Sequence, residues 1–347
     1  MAKIKEVVSD DKLQQALDHL NKAYGIGTVL TLNGKVRDKY DVISSGSIGI
    51  DFQVLGVGGW IIGRLYELMG WEGSGKTTIC GHAIAECQKA GKVAMCIDGE
   101  HAVDKDYFEA LGVDTNKLLF AQPSNGEEGF QIAKEMIMSG KIDLLIIDSD
   151  SSMIPKCVLE GDMGDSSIGK KARLNNGAYP ALKSLLVQHK VCVIVVSQFR
   201  EKIGVMFGNP TTTQGGHALK FYSDCRIEVS KSVAKDGDES YGNITKIKTT
   251  KNKTFSPYKK CEFDVVWGVG IDKVKEIVDI GVELKIIQKS GSWFSYGETK
   301  IGQGINGVSD LLNDNPELTE EIRAKIIEKI TATDIPVEKL KEVINEI

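Results

Sequence analysis

Near its start the chain carries apolar residues at helical spacing: Leu13, Ala16, Leu17, Leu20 and Tyr24 share one face. Ser9 or Asp10 stands where an N-cap belongs, and Gly25 and Gly27 punctuate the end. The stripe is narrow, so a helix here must pack on something, either its own domain or a neighbouring subunit. From Arg64 to about Val196, short apolar runs alternate with helical stretches. Leu65 to Met69, Val93 to Ile97, Leu144 to Ile147 and Val191 to Val196 read as strands; Thr77 to Lys89 and Glu127 to Met138 read as helices. That alternation predicts an α/β fold, a mostly parallel central sheet with helices on both faces. Further strands are expected at Arg226 to Val229, Ile244 to Lys248 and Phe263 to Val266. From about Asp272 short helices and Gly-rich turns suggest a small α+β C-terminal domain.

Composition narrows this little. In 347 residues, 41% hydrophobic and 26% charged positions are ordinary globular values. No apolar run approaches the roughly 18 residues of a membrane span, and Met1-Ala2-Lys3-Ile4-Lys5-Glu6 lacks the apolar segment of a signal peptide. The seven cysteines are scattered without a C-x-x-C pair, several of them inside apolar runs. They read as small buried hydrophobes of a reducing cytoplasm rather than disulfides or zinc ligands. A net charge of −5 neither supports nor forbids nucleic-acid binding, because a local groove of Lys and Arg is what such binding needs.

The sharpest chemical signal is Gly70-Trp71-Glu72-Gly73-Ser74-Gly75-Lys76-Thr77, a G-x-x-x-x-G-K-[ST] loop between an expected strand and an expected helix. Gly70, Gly73 and Gly75 let the backbone curl its N–H groups toward phosphate oxygens, and the helix N-terminus adds its dipole. Lys76 then serves the β- and γ-phosphates of ATP, and the Thr77 hydroxyl ligates Mg²⁺. Leu144-Leu145-Ile146-Ile147-Asp148 ends a buried strand in a carboxylate that reaches the same Mg²⁺, through water. Glu100, in Ile97-Asp98-Gly99-Glu100, falls where a carboxylate accepts a proton from the attacking water or holds it in line.

Gly70 to Thr78, Ile97 to Asp104, Asp148-Ser149, Ile301-Gly302-Gln303-Gly304 and above all Gln198 to Pro210 with Gly215 to Tyr222 resemble the bacterial RecA recombinase family. The resemblance runs from about Leu13 to about Pro316. It implies a RecA-type P-loop ATPase core that forms a helical filament on single-stranded DNA, takes up double-stranded DNA, and exchanges strands in recombination, repair and the SOS response. It implies a cytoplasmic location and no membrane. By the same resemblance Glu100 is the catalytic glutamate. Asp104, Tyr107 and Trp267 join Thr78 and the phosphate loop around the nucleotide. Gln198 senses the γ-phosphate, Lys251 and Lys253 reach a neighbour's ATP, and Phe221 is an inter-subunit contact. The first DNA loop, Glu160 to Gly169, would place Ile168 and Gly169 on DNA, with Arg173 after it. The second, about Arg200 to Gly216, would add Arg200, Lys202, Met206, Phe207, Asn209, Gly215 and Gly216. Lys246, Lys248 and Lys289 match positions that hold the incoming duplex.

The implied organisation is a docking segment over 1–33, an ATPase core with the DNA loops over 34–270, and a duplex-contacting domain over 271–347. Three features depart from the family pattern. Pro180 replaces a DNA-contacting position and should kink or restart the helix after the first loop. Trp71 has no evident role. Val337, Leu340, Ile344 and Ile347, after Asp334 and Pro336, suggest a terminal amphipathic helix instead of a free acidic tail. A hexameric helicase-like motor would share the phosphate loop and Asp148 but not need Gln198 to Tyr222. A non-catalytic DNA-coating scaffold would not need Glu100 or Lys76.

Overall fold

A computed structural model describes residues 11–24, 29, 40–162, 169–201 and 211–333. Ser9, Asp10, Gly25, Gly27, Ile168, Lys202, Met206, Phe207, Asn209 and the stretch from Asp334 to Ile347 lie outside the described residues. The chain divides into two compact units, Met1–Tyr40 and Asp41–Ile347. In the first, helix α1 (Asp11–Tyr24) bears the expected stripe, and none of its residues is buried. Asn21 exchanges hydrogen bonds with the backbone N–H and carbonyl of Val29.

The second unit opens with a small antiparallel pair, β1 (Val42–Ile43) and β2 (Trp60–Ile61), around a π-helical turn at Gly49–Val54. Then β3 (Leu65–Gly70), α2 (Lys76–Lys89), β4 (Ala94–Asp98), α3 (Lys105–Ala110), β5 (Leu119–Ala121), α4 (Gly126–Ser139) and β6 (Leu144–Asp148) alternate along the chain. A short α5 (Lys156–Leu159) and a long α6 (Lys170–His189) lead to β7 (Cys192–Glu201), β8 (Thr211–Thr213), α7 (Ala218–Tyr222) and the ribbon β9 (Cys225–Asp236), β10 (Glu239–Asn252), β11 (Lys260–Val266) and β12 (Gly270–Ile271). The strands form one sheet in the order β12-β11-β10-β9-β3-β7-β6-β4-β5, with β8 paired to β7. Along that order from β9 to β5 each neighbour is parallel, while β10, β11 and β12, and β8 on β7, add antiparallel neighbours.

Strand alternation sorts the core into two layers. Tyr66, Leu68, Cys96, Ile146, Ile194 and Val196 face α2, through Ile79, Ala83, Ile84 and Cys87. Leu65, Met95, Ile97, Leu145, Ile147, Val193 and Val195 face α4 and α6, through Phe130, Ala133, Ile137, Tyr179, Leu182 and Leu186. Burying both faces explains why these strands read as continuous apolar runs. Cys80, Cys87, Cys96, Cys192 and Cys225 are free and buried, as their apolar contexts predict, whereas Cys157 is exposed.

The expected restart at Pro180 does not occur: α6 runs unbroken across it. Tyr179 and Leu182 on either side are buried in the core and hold the turn. Proline removes one backbone donor there, and packing of the 20-residue helix outweighs that loss.

After β12 come α8 (Lys273–Glu283), the antiparallel β13 (Ile287–Ser290), β14 (Trp293–Tyr296) and β15 (Thr299–Gln303), α9 (Gly304–Asp314) and α10 (Pro316–Thr333). Their own core includes Val278, Ile287, Phe294, Val308 and Ile326, and Ile48 beside the π-helical turn packs into it. Two buried carboxylates lie at that seam. Glu276 of α8 accepts from the Ser47 hydroxyl and from Ile48 and Gly49 N–H; Asp51 accepts from Ser44 Oγ at 2.6 Å and Ser45 N at 2.8 Å. Burial pushes Glu276 up to about 7 and Asp51 up to about 6, against those hydrogen bonds.

Candidate functional site

The carboxyl ends of β3, β4, β6 and β7 meet at one edge of the sheet, and a cleft of about 310 Å³ opens there. Its floor is the phosphate loop. Gly73 and Gly75 take φ of 64° and 93°, and a Cβ on Gly70 would lie 2.3 Å from the Val229 carbonyl oxygen. The loop ends in Gly75 as N-cap of α2, with no side chain satisfying the first N–H groups, which leaves them for an anion. Lys76 Nζ donates to the carbonyls of Gly70 at 3.1 Å and Trp71 at 2.8 Å. Burial lowers its pKa. Thr77 Oγ1 donates to Asp148 Oδ2 at 2.7 Å, so two hard oxygen donors suited to Mg²⁺ stand together. Burial pushes Asp148 up to about 6 against that hydrogen bond.

Glu100 stands over the cleft on a turn that Asp98 organises. The Asp98 carboxylate accepts from Glu100 N at 3.1 Å, Val103 N at 3.2 Å and Gln122 Nε2 at 3.2 Å. Glu100 Oε1 accepts from the Ser149 hydroxyl and from Gln198 Nε2 at 2.6 Å. Gln198 Oε1 in turn accepts from Arg200 Nη2 at 3.0 Å. A polar series therefore leads from the carboxylate to the root of the second loop.

Glu72, Gly73, Ser74, Thr78, Tyr107, Gln198 and Trp267 line the cleft as expected. Thr78 Oγ1 and Tyr107 OH are 2.7 Å apart. Asp104 does not line it; its carboxylate caps α3 by accepting from Tyr107 N at 3.1 Å. Asn243 and Thr245 of β10 do line it, and sequence reasoning missed both. Thr245 Oγ1 is buried without a partner, 3.6 Å from where a Gly75 Cβ would sit. The period-two pattern of β10 was the available signal, since it puts both side chains on one face. Trp71 now has a neighbour: its ring meets Phe199 edge-on, centroids 5.9 Å apart.

The remaining positions lie elsewhere. Lys251 Nζ donates to the carbonyls of Lys220 at 2.8 Å and Phe221 at 2.9 Å, capping α7, and Lys253 Nζ is 3.7 Å from Asp224. Both lysines thus have local partners, and neither lines the cleft. Phe221 is 68% exposed. Lys246 and Lys248 line a separate groove shared with Glu228, Glu262, Asp279 and Glu283, and Lys289 lies over the Phe294 ring at 5.2 Å. Arg173 and Arg200 are exposed. Gly169 is the N-cap of α6. Gly215 and Gly216 pack against α6, where a Cβ would come within 2.2 Å of Asn175 Nδ2 and 2.9 Å of Ala172 Cβ respectively.

Comparison with known proteins places this geometry. A family model described as the RecA N-terminal domain matches residues 11–272, and one described as the RecA C-terminal domain matches residues 275–331. Proteins named Protein RecA are similar along nearly the whole chain. That of Cytophaga hutchinsonii is 49% identical over 326 residues, covering 93% of this chain and 92% of its own. That of Porphyromonas gingivalis is 48% identical over 328 residues, 93% and 96%. That of Staphylococcus aureus is 44% identical over 338 residues, 96% and 97%.

Proposed function

The chain belongs to the RecA family, a DNA-dependent ATPase of homologous recombination and repair, and we propose that the cleft at the carboxyl edge of its sheet binds and hydrolyses ATP. The observation that carries this reading is the Arg200–Gln198–Glu100–Ser149 series, which ends on a carboxylate beside the phosphate loop. A generic P-loop motor has no need to join that carboxylate to a Gly- and Thr-rich loop, and a passive scaffold has no need of the carboxylate.

In this reading the loop N–H groups and Lys76 hold the phosphates. Thr77 and, through water, Asp148 hold Mg²⁺, which when bound neutralises charge on the phosphate oxygens. Glu100 takes the proton of the attacking water or holds it in line. Tyr107, Asn243, Thr245 and Trp267 form the walls for the nucleoside, with the unpartnered Thr245 hydroxyl offering a hydrogen bond. Gln198 reports the γ-phosphate to the second loop. Arg173, Arg200, the two loops and their glycines contact single-stranded DNA through its phosphates, without reading bases. Lys246, Lys248 and Lys289 serve the incoming duplex. The unburied stripe of α1 supports docking on a neighbouring subunit in a filament. The buried free thiols support a reducing, cytoplasmic location. Among the described residues no helix is long and apolar enough to cross a membrane.

The experiment is a displacement-loop assay on the unmodified protein and on Lys76→Ala, with and without ATP. ATP should be required, and Lys76→Ala should form no displacement loops. A Lys76→Ala protein that pairs DNA at the parental rate would remove the cleft from the mechanism.

A further inference from the structure

Five consecutive residues, Asp148 at the end of β6 and the four that follow it, join several parts of the proposed machinery. Asp148 meets Thr77, Ser149 donates to Glu100, and Ser151 Oγ accepts from Gln198 N at 3.3 Å. Ser152 Oγ closes the turn on the Ser149 carbonyl at 2.9 Å. Asp150 makes none of these contacts with its carboxylate, and it is 1% exposed. Its carboxylate accepts from Asn175 Nδ2 at 3.1 and 3.2 Å and from the Tyr179 hydroxyl. Lys171 Nζ donates to the Asp150 main-chain carbonyl and, at 2.7 Å, to that of Met153.

All three side chains come from α6, whose N-terminus directly follows the first loop. Asn175 Nδ2 also donates to the carbonyl of Gly215 at 3.1 Å, at the far foot of the second loop. That foot is seated tightly: Gly215 has φ of 87°, and a Cβ there would stand 2.2 Å from Asn175 Nδ2 and 2.8 Å from Asp150 Oδ2. The feet of both loops thus meet the turn that carries Asp148 and Ser149, through one buried carboxylate.

Stability does not explain this arrangement. A buried, charged cluster often repays its desolvation poorly, and apolar side chains of similar volume are frequently as stable in its place. Asn175 Oδ1 is left buried with no partner, which a cluster selected for stability alone would avoid. What the cluster supplies is geometry, since the side-chain donors around Asp150 all come from α6 and fix the turn relative to that helix.

We propose that Asp150, through Asn175, Lys171 and Tyr179, is a positioning residue that transmits DNA occupancy of the two loops to the turn holding Asp148, Ser149 and hence Glu100. It is a second line of coupling beside Gln198, and it rests on the reading of the two loops as the DNA site. DNA held at the loops fixes α6 and Gly215, and the Asp150 contacts then fix the Ser149 hydroxyl against Glu100.

The test uses Asn175→Leu, which fills similar space and removes the donor to both Asp150 and Gly215, with Asp150→Asn and the double variant. ATP binding is followed with a fluorescent nucleotide, single-stranded DNA binding by anisotropy with a non-hydrolysable ATP analogue, and ATPase with and without DNA. In Asn175→Leu the stimulation of kcat by DNA should fall about tenfold, an ordinary coupling energy, with KM for ATP and DNA affinity within about threefold of the parent. The double variant should be no worse than either single, because both act through one contact. Full stimulation in Asn175→Leu, or losses that simply add in the double variant, overturns the proposal. Should Asn175→Leu not fold, Tyr179→Phe removes one hydroxyl from the same carboxylate and keeps the ring. Its DNA stimulation should fall while its unfolding midpoint stays near the parent's, and unchanged stimulation overturns the proposal. A failure of the loop reading looks different, because the unmodified protein would then show no DNA stimulation at all, and the proposal would fall with it.

Discussion

Glu100 is exposed and held from two sides, by the Ser149 hydroxyl and the Gln198 amide, so its orientation is set before any substrate is present. Glu100→Gln preserves the shape but cannot take a proton. ATP hydrolysis should fall by about 10²-fold or more while nucleotide still binds, as single-turnover kinetics beside a binding titration would establish; hydrolysis at the normal rate would place the base elsewhere. Asp51 shows a different use of a carboxylate. Its pKa stands near 6 instead of 3.8 because it is buried, so the folded state holds its proton more tightly than the unfolded chain does. That contribution is present below about pH 4 and is lost as pH rises through about 6, roughly 2–3 kcal/mol in all. Asp51→Asn keeps both contacts, accepting from Ser45 N and donating to Ser44 Oγ, without a charge to desolvate. Denaturant unfolding from pH 4 to 8 should show a flatter profile for the variant and greater stability than the parent at pH 8; a parallel profile would mean Asp51 does not titrate in this range. The phosphate loop, Asp148 and Glu100 were legible because each sits within a few residues of a strand end. Asn243, Thr245 and Asp150 were not, since their roles arise from neighbours more than twenty residues away.

The parallel strands β3, β4, β6 and β7 began within a residue of their expected starts, because burial on both faces writes an uninterrupted apolar run into the sequence. Expectation fell short where one face is wet or a partner is distant. β7 continues past Val196 to Glu201 because Phe199, Arg200 and Glu201 pair with Thr213, Thr212 and Thr211. The ribbon β9–β10 extends well beyond its apolar centre, and its register shifts between Ser240 and Gly242 and between Thr249 and Lys251 blur the alternation. Helix α6 is the opposite case, in which a local signal, Pro180, was overridden by packing of Tyr179, Leu182 and Leu186. Proline at that position still leaves one carbonyl of the preceding turn without its helical donor. Pro180→Ala should therefore stabilise the protein by about 1 kcal/mol, the restored hydrogen bond being partly offset by greater freedom of the unfolded chain. Chemical denaturation of the two proteins decides this, and a loss of stability would mean that the ring itself packs usefully.

At the scale of the whole molecule, the cations that the family resemblance assigns to the cleft lie elsewhere on the same chain. Lys251 is bound to the end of α7, beside the exposed Phe221, and Lys253 to Asp224. Taken by itself, one subunit gives both lysines a structural occupation: a capped helix and an ion pair with the buried Asp224. In a filament the same exposed patch would face the neighbour's cleft, where added positive charge stabilises the charge spread over the transferring phosphoryl group. Isolated subunits should then be poor ATPases, with DNA raising the rate by fixing the interface. The two occupations separate cleanly when inactive variants are mixed. Glu100→Gln lacks the carboxylate but keeps both lysines; Lys251→Ala/Lys253→Ala lacks the lysines but keeps Glu100. Assembled together on single-stranded DNA, some interfaces join the intact lysines of one to the intact Glu100 of the other. ATPase activity should therefore rise above the sum of the two separate proteins, and should peak near an equal mixture, where such interfaces are commonest. Helix capping within a subunit cannot produce that gain, because neither chain repairs the other's fold. If fluorescence energy transfer shows mixed filaments and the rate stays at the sum, the lysines act only within their own subunit.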